Sequence, residues 1–484
     1  MKILPASTLV LGLALFAPAG VHAEALTLDQ CVAIALKQSP DTVSADYEVE
    51  SALAKKNSAR GAWGPRLRLD AGFQRWDRAM SAPLFGLLPL YCQSCPWDPV
   101  MIPDASGNQV PLQRTNPDGT PMTKPDGSPV YVLKAQTDEI TFRPQWTWSA
   151  GITLAQPIGA LWTVREANEL ARLGIDVAEI KRKSARRDVA FQVTEAYYRL
   201  LQAKSLADVA EKSVAQVEAQ VKRASTFFER GAVARNDVLR AELGLAASQQ
   251  RLIQTKGMVS LARGRLATLM GRSPDSEVDT LAQVGAPGTV PPVAVEQAEQ
   301  QAVATRFELK EIAARIEQAN ASVRMAKSKL IPQVNAVANY TRASSSLLAL
   351  PKSWFVGATA TWDIWEGGST YYGIDDAKAQ LAQAQEARRK AENAIRLDAR
   401  NAHVGVTTAA EALAVAEHAV EQAEENFRIE QKRYESTSNT SFDVLDAETQ
   451  LTSARGQHQA ALYDLAIAQS NLARAMGETT RAAP

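Results

Sequence analysis

The chain has little of what marks nucleic-acid-binding proteins and metalloenzymes. Its 53 basic and 53 acidic side chains give a formal net charge of zero, which argues against the basic footprint of a nucleic-acid-binding protein. His403, His418 and His458 lack the spacing of metal ligands, and no Ser/His/Asp or Cys/His constellation stands out. We therefore expect no catalytic residue, no metal ion, no cofactor and no nucleic-acid partner.

Long apolar runs are also missing, apart from one near the N-terminus. Lys2, the apolar run at 9–17 and the small residues that follow are typical of a secretory signal peptide. We expect residues 1–23 to be removed by cleavage before Glu24. An uncleaved anchor is the alternative, but a spanning helix needs about 20 apolar residues. The lack of later runs leaves a soluble exported protein or a β-barrel, whose signal per strand is weaker.

Cysteine occurs only three times. Cys31 lies in LDQC, without the small residues that usually precede a lipoprotein acylation site, so no lipid anchor is expected there. Cys92 and Cys95 form CQSC, which is at most half of a zinc site. Because an exported protein meets an oxidising compartment, a disulfide between them is favoured over a thioredoxin-like redox motif.

What the chain does have is an internal duplication. The stretch RNDVLRAE at 235–242 returns as SFDVLDAE at 441–448, and the same offset of 206 residues relates Gly271 to Gly477 without a gap. The boundaries expected from this duplication are a first repeat at 24–284, a linker at 285–293, a second repeat at 294–477 and a tail at 478–484.

Each repeat contains two segments in which apolar and polar residues alternate, as in β-strands. The predicted strands lie at about 66–76 and 141–157 in the first repeat, and at about 333–341 and 353–364 in the second. Each is about long enough to cross a bilayer at a tilt. Four strands cannot close a barrel alone, so a membrane location requires several chains. Two soluble hairpins packed on helices are the alternative.

Long heptad-patterned segments follow both strand pairs. Apolar residues keep an unbroken 4-3 spacing from Val189 to Phe228 and from Ile395 to Tyr434, with Glu430 as the one polar residue, which indicates a coiled-coil seam. A helix of this size, about 100 Å long at 1.5 Å per residue, does not fit a compact globular domain. The predicted helices are long ones at about 161–230 and 367–434 and return helices at about 236–271 and 442–477.

In this order, the elements resemble the TolC family of bacterial outer-membrane efflux and secretion channels. The resemblance is carried by the duplication, the Trp-Glu-Gly-Gly step at 365–368, the strand-preceding Pro65 and Pro332, the SFDVLDAE tip and the terminal LARAMG. It implies a membrane α/β-barrel fold. Four strands per chain would contribute to a trimeric twelve-stranded outer-membrane β-barrel, and the long coiled-coil helices would form a periplasmic tunnel.

The resemblance also implies a function and partners. The protein would be the outer-membrane exit duct of a tripartite efflux pump or type I secretion system, conducting substrates passively to the exterior. Its partners would be two further copies in a homotrimer, outer-membrane lipid, a periplasmic adaptor (membrane fusion protein), and an inner-membrane RND pump or ABC exporter. The alternative is a periplasmic adaptor or coiled-coil interaction protein without a pore. Adaptors, however, have one helical hairpin flanked by β-rich segments.

Residues of a periplasmic gate follow from the same resemblance. Tyr434, Asp443 and Asp446 match the family's gate motif, and Asp237 matches its first-copy equivalent. A threefold axis would turn Asp443 and Asp446 into two rings of carboxylates, and such rings favour cations at a constriction. The alternative is that these aspartates begin a helix, where the dipole stabilises a negative charge.

The two tips, where long helices turn into return helices, are where the resemblance implies that the adaptor docks. The candidate docking residues are Gly231, Asn236 and Asn439. The family's arginine is replaced here by Asn439, and Thr437 stands where the first copy has Gly231. How the entrance closes is therefore left open. The long excursion at 77–137, with its NPDG and KPDG turns, is expected outside the membrane as an external cap.

Overall fold

The computed structural model describes residues 25–83, 97–135, 139–159, 161–280, 293–344, 351–436 and 438–478. These residues fall into two compact units. The helical unit contains the described residues up to Ala59, those from Arg165 to Lys329 and those from Glu366 onwards. The sheet unit contains the described residues from Arg60 to Val164 and from Leu330 to Trp365.

The elements alternate between the two units in chain order. In the first repeat they are β1 (Ala25–Leu26), α1 (Leu28–Gln38), α2 (Pro40–Gly61), β2 (Arg66–Arg75), β3 (Met80–Pro83), β4 (Trp97–Pro99), β5 (Met101–Pro103), β6 (Gln109–Pro111), β7 (Leu133–Ala135), β8 (Glu139–Arg143), β9 (Trp146–Pro157), α3 (Leu161–Glu229), α4 (Arg235–Leu269) and β10 (Asp279–Thr280). In the second repeat they are α5 (Val295–Thr305), α6 (Phe307–Ser328), β11 (Gln333–Ala343), β12 (Lys352–Thr361), α7 (Ser369–Glu435) and α8 (Ser441–Ala475).

Two very long helices dominate the helical unit. Helix α3 has 69 residues and α7 has 67, so each is about 100 Å long at 1.5 Å per residue. Their buried residues follow the heptad seam read from the sequence, for example Val189, Val193 and Ala196 in α3. None of the helices searched, which are those of the described ranges, offers an apolar stretch long enough to cross a membrane.

An apolar core holds the first repeat together where α1 meets α3 and α4. Helix α1 starts with a capping box between Thr27 and Gln30, and it ends before Pro40, a residue favoured at the first position of the next helix. The Cys31 side chain is fully buried in this core and acts there as a small hydrophobe. The core's buried members are Leu26, Cys31, Ala35, Val189, Val193, Ala196, Tyr197, Leu200, Leu201, Leu266, Ala267, Met270, Val278 and Tyr463.

A charged network occupies the matching region of the second repeat. Arg187 of α3 binds Glu308 of α6 at 2.9 Å. Arg306 binds the same carboxylate at 3.0 Å and Asp398 of α7 at 2.8 Å, and Arg474 of α8 lies 3.4 Å from Asp398. The Arg187 and Arg306 side chains are only 2% and 7% exposed. The apolar clusters beside this network are small, with five and three buried residues.

A Met-Gly pair follows the return helix in both repeats, and its glycine lies close to the end of a short helix. Gly271 and Gly477 have φ angles of 75° and 78°, in the left-handed region that favours glycine. A Cβ on Gly271 would overlap the backbone carbonyl of Gln38 at the end of α1. A Cβ on Gly477 would overlap the hydroxyl of Thr305 at the end of α5. The duplicated motif thus places each return helix against its own repeat's short helix.

The sheet unit is built around an antiparallel sheet in the order β12-β11-β9-β2. All four strands join a helix-bearing segment at the same end, namely at Arg66, Pro157, Gln333 and Thr361. The register places the apolar residues of the four strands in continuous rows across one face of the sheet. One row contains Leu69, Ile152, Tyr340 and Trp354, and the next contains Leu67, Leu154, Ala338 and Val356.

The predicted strand at 141–157 differs from the structure, which divides it in two. Pro144 lies at the break between β8 and β9. A proline has no N–H to donate and a fixed φ, so it interrupts a ladder. Strand β8 pairs with β3 instead of joining the four-stranded sheet. Within the predicted excursion, short pairs β4–β7 and β5–β6 follow, and turns at Gly107, Gly119 and Gly127 have positive φ.

Candidate functional site

The two helical tips lie against each other within the helical unit. We call the α3–α4 junction, residues 223–244, the first tip, and the α7–α8 junction, residues 430–448, the second tip. The rings of Phe227 and Tyr434 are 5.5 Å apart at 38°. Arg223 Nη1 lies 3.5 Å from Glu435 Oε1, and the Arg240 guanidinium lies 5.9 Å from the Phe442 ring. Aromatic and charged contacts therefore join the tips.

Tyr434 is the buried centre of this contact. Its side chain is 1% exposed, and within the described ranges its hydroxyl has no hydrogen-bond partner. Burial raises the pKa of Tyr434, the nearby Asp237 carboxylate raises it further, and Arg223 opposes the shift. The structure thus brings two of the expected gate residues, Tyr434 and Asp237, close enough to interact through charge. Their phenol and carboxylate form no hydrogen bond with each other.

Asp443 begins helix α8. The backbone N–H and the hydroxyl of Thr440 donate to Asp443 Oδ2 at 2.9 and 2.8 Å, in the capping-box arrangement. The N–H bond from Thr440 lowers the pKa of Asp443, and the hydroxyl bond lowers it further. The helix-starting role considered for this residue is therefore present in the structure, and it leaves the carboxylate charged.

Asp446 differs from Asp443 because it has no part in the cap. Its side chain is exposed and accepts a hydrogen bond from Gln450 Nε2, one turn further along α8, at 2.7 Å. Because it lies three residues after Asp443, the two carboxylates share one side of α8. Of the two, Asp446 is the one that presents its charge to the surroundings.

Asn439 makes a contact that the sequence did not predict. Its Nδ2 donates to the backbone carbonyl of Glu430 at 3.1 Å and to Glu430 Oε2 at 2.6 Å. Arg433 binds the other Glu430 oxygen at 3.0 Å. The one feature of the sequence that pointed to this contact is that Glu430 interrupts the otherwise apolar heptad seam. The amide of Asn439 is thereby engaged inside its own tip.

The remaining docking candidates lie at the surface of the first tip. Gly231 is exposed and has a φ of 71°. The N–H of the next residue, Ala232, closes the end of α3 on the Phe227 carbonyl at 2.8 Å. Asn236 is exposed in the first turn of α4. Three residues with expected roles, namely Cys92, Cys95 and Thr437, lie outside the described residues.

Glu448, the last residue of SFDVLDAE, links α8 to α3. It is 5% exposed and accepts hydrogen bonds from Ser213 Oγ at 2.5 Å and Thr452 Oγ1 at 2.8 Å. The matching residue of the first repeat, Glu242, is exposed. A motif that repeats in sequence therefore repeats only in part in its contacts, and the sequence carries no signal of this difference.

Comparison with known protein families gives a match in both repeats. The family described as outer membrane efflux protein matches residues 127–272 and 298–478. The two segments include both long helices, both tips and most of the four-stranded sheet. No curated protein sequence matches the chain.

Several solved structures share the fold at low sequence identity. The Campylobacter jejuni CmeC outer membrane channel is 16% identical, with 99% of this chain and 94% of that chain covered and a TM-score of 0.70. The open-state MtrE outer membrane channel of Neisseria gonorrhoeae is 18% identical, with 93% and 89% covered and a TM-score of 0.67. The outer membrane protein VceC of Vibrio cholerae is 18% identical, with 93% and 96% covered and a TM-score of 0.64. The predicted fold class, a duplicated chain of long helices and four strands, is confirmed.

Proposed function

The chain belongs to the outer membrane efflux protein family, and from this premise we propose that it is the outer-membrane exit duct of a tripartite efflux pump or type I secretion system. The observation that carries the proposal is the family match in both repeats. The resemblance to the TolC family is confirmed by the same match. Neither the family match nor the similar structures support a periplasmic adaptor without a pore.

The duct we propose is a homotrimer in the bacterial outer membrane. Four strands cannot close a barrel, whereas twelve can. The exposed apolar face of the sheet supports a lipid environment, with Leu67, Trp354 and Val356 each more than 70% exposed in a single chain. The long helices would extend into the periplasm as a tunnel. Substrates would pass through without chemical change, and we assign the chain no catalytic residue or cofactor.

The joined tips are the proposed periplasmic gate. Tyr434 fills the contact between the tips, so separating them would expose its ring and bring water to its hydroxyl. In a threefold assembly the exposed Asp446 would form a ring of carboxylates. Asp443 would add a second ring while it caps α8.

Partners would engage the outer surfaces of the two tips. Gly231 and Asn236 offer exposed positions on the first tip, and they suit a periplasmic adaptor that bridges to an inner-membrane RND pump or ABC exporter. Asn439 is a weaker docking candidate, because its amide is bound to Glu430. We propose that Asn439 instead stiffens the second tip against opening.

The location is tested by extraction of membranes from cells that produce the full chain. We expect the protein to stay in the membrane after carbonate washing and to migrate as a heat-modifiable trimer after detergent extraction. Release by carbonate without detergent would contradict the proposal.

The gate is tested by single-channel recording of the reconstituted trimer. Asp446→Asn removes the exposed charge and keeps the shape, so block by divalent cations should weaken. Asp443→Asn keeps an acceptor for the Thr440 cap and should weaken the block less. Glu242→Gln removes an exposed carboxylate from the first repeat and serves as the matched control. Unchanged block in Asp446→Asn would exclude the carboxylate ring.

A further inference from the structure

The hairpin of β11 and β12 places two cations directly opposite each other. Arg342 and Lys352 are register partners at one end of the hairpin, opposite to the end where Gln333 pairs with Thr361. Both side chains are exposed. Like charges directly opposite each other destabilise an antiparallel pair. This pair therefore needs an explanation other than sheet stability.

No acidic residue neighbours the pair on its sheet face. On β9, the register partner of Arg342 is Ala150, and the partner of Ala150 on β2 is Ala71. The residues between the two cations, 343–351, include no aspartate or glutamate. Asp70 on β2 belongs to the opposite face and binds Arg68 at 2.8 Å. Within the part of the chain that the structure describes, neither cation forms an ion pair.

The pair borders a wide apolar face. The next row along the same face holds Trp354, Tyr340 and Ile152, and these side chains are 74%, 45% and 45% exposed. Rows of aromatic side chains next to cations are typical of the interface between a membrane and water. The apolar rows suit acyl chains, and the two cations suit an anion at the border.

We propose that Arg342 and Lys352 together bind a phosphate group of an anionic glycolipid in the outer leaflet, with its acyl chains lying along the apolar rows of this sheet face. The proposal rests on the proposed function, because in the proposed duct the ends of β11 and β12 that carry Arg342 and Lys352 face the exterior of the cell. The anion would convert a like-charge pair into two charge-assisted contacts, which are among the stronger hydrogen bonds in proteins. A guanidinium and an ammonium supply enough donors for this.

The site is tested with the purified full-length trimer in detergent. Native mass spectrometry would count bound diphosphoryl lipid A and its dephosphorylated form, and thermal unfolding would be followed with each lipid and with inorganic phosphate. Arg342→Gln/Lys352→Gln is the test variant. Arg66→Gln/Arg68→Gln removes the same charge from the opposite face of the same sheet and is the matched control. Lys352→Arg keeps the charge and should keep binding.

We expect the wild type and the control to bind the phosphorylated lipid and to unfold at a higher temperature in its presence. The test variant should bind it about tenfold or more weakly, as expected for the loss of a charge-assisted hydrogen bond. Equal binding by the test variant, equal binding of the dephosphorylated lipid, or an equal response to inorganic phosphate alone would each overturn the proposal. If the test variant forms no trimer, Arg342→Gln alone takes its place with the same expected loss.

Failure of the site is distinguishable from failure of the proposed function. A chain that stays in carbonate-washed membranes as a trimer but ignores the lipid phosphate would refute the site alone. A chain that carbonate releases would refute the duct, and the site with it.

Discussion

The two repeats share one backbone plan but stabilise the same junction in different ways. In the first repeat, the short helix α1 is held by apolar contacts in which Cys31 and Ala35 are fully buried. In the second, α5 also buries Ala298 and Ala302, but in smaller apolar clusters, and ion pairs of Arg306 and Glu308 add contacts with α3 and α7. A duplicated backbone therefore does not require duplicated chemistry. The same backbone arrangement forms when the helices of each junction are held together by either kind of contact.

The largest effect is expected from Glu308→Ala. It removes the partner that Arg187 and Arg306 share, while Asp188 and Asp398 stay beside them, so the loss should lie at the lower end of the range of about 3–5 kcal/mol that breaking a buried ion pair costs. The lowered transition temperature would be measured by thermal unfolding of the purified trimer. Glu386→Ala is the control, since its pair with Arg389 is 66% and 76% exposed and such pairs contribute about 1 kcal/mol or less. Equal effects of the two variants would show that the network adds nothing.

A smaller effect is expected from the glycines that end the return helices. Gly271→Ala and Gly477→Ala both impose a side chain at positive φ, which costs about 1–3 kcal/mol. The first should cost more, because its Cβ meets a backbone carbonyl, whereas the second meets the side chain of Thr305, whose hydroxyl can move away if it gives up its hydrogen bonds to the Gln301 and Met476 carbonyls. Unfolding of the two variants side by side measures the difference. The reverse order would mean that the ionic junction is the more rigid one.

The two return helices differ in the residue at the N-cap, so the two cap residues can be exchanged. Thr440 begins α8 in a capping box with Asp443, whereas the matching Ala234 begins α4 without a side-chain cap. Thr440→Ala should destabilise the second tip by about 1 kcal/mol. Ala234→Thr should build the missing box with Asp237 and stabilise the first tip by a similar amount. Amide hydrogen exchange at the start of α4 and α8 would detect both changes. Unaltered protection in both variants would argue against the caps.

The smallest effect is expected from mild acid, between about pH 5 and pH 4, and of the two junctions it should be larger at the one in the second repeat. Burial acts to raise the pKa of Glu308, but its hydrogen bonds to Arg187 and its own N–H, with the Arg187 and Arg306 charges, hold it down at about 2. A carboxyl whose pKa is lowered by folding stabilises the fold fully above its ordinary value of 4.5. That stabilisation is lost as the pH falls toward 2.

Hydrogen exchange in α5 and α1 between about pH 5 and pH 4 would test the upper part of this window. Protection of α5 should fall first, and Glu308→Ala should remove the pH dependence of that step. Earlier loss of protection in α1 would contradict the expectation.

Local patterns made much of the fold predictable. Helix α7 covers Ser369–Glu435 where the heptads predicted 367–434, and β2 covers Arg66–Arg75 where alternation predicted 66–76. The break at Pro144 was readable in principle, since proline interrupts a ladder, but the strong alternation on both sides concealed it. Such patterns are visible because they follow from the periodicity of the backbone itself.

The candidate site was predictable only as a set of positions. The motif located Tyr434, Asp237, Asp443 and Asp446 near two tips, but not their separate surroundings. Asp443 is bound in a cap while Asp446 is exposed, although they lie three residues apart. Their difference depends on Thr440 and on the path of the turn before it.

The sequence by itself determined the duplication, the long helices, the alternating strands and the family. These properties arise between residues that are neighbours along the chain or that recur at a fixed period. The tertiary structure alone decided that β9 lies between β2 and β11, that Glu308 neutralises Arg187 across the repeats, and that Glu448 binds Ser213. Those features depend on contacts between residues that are distant in the sequence. Because a buried charge is costly unless it is paired, the tertiary structure determines which charged residues form ion pairs.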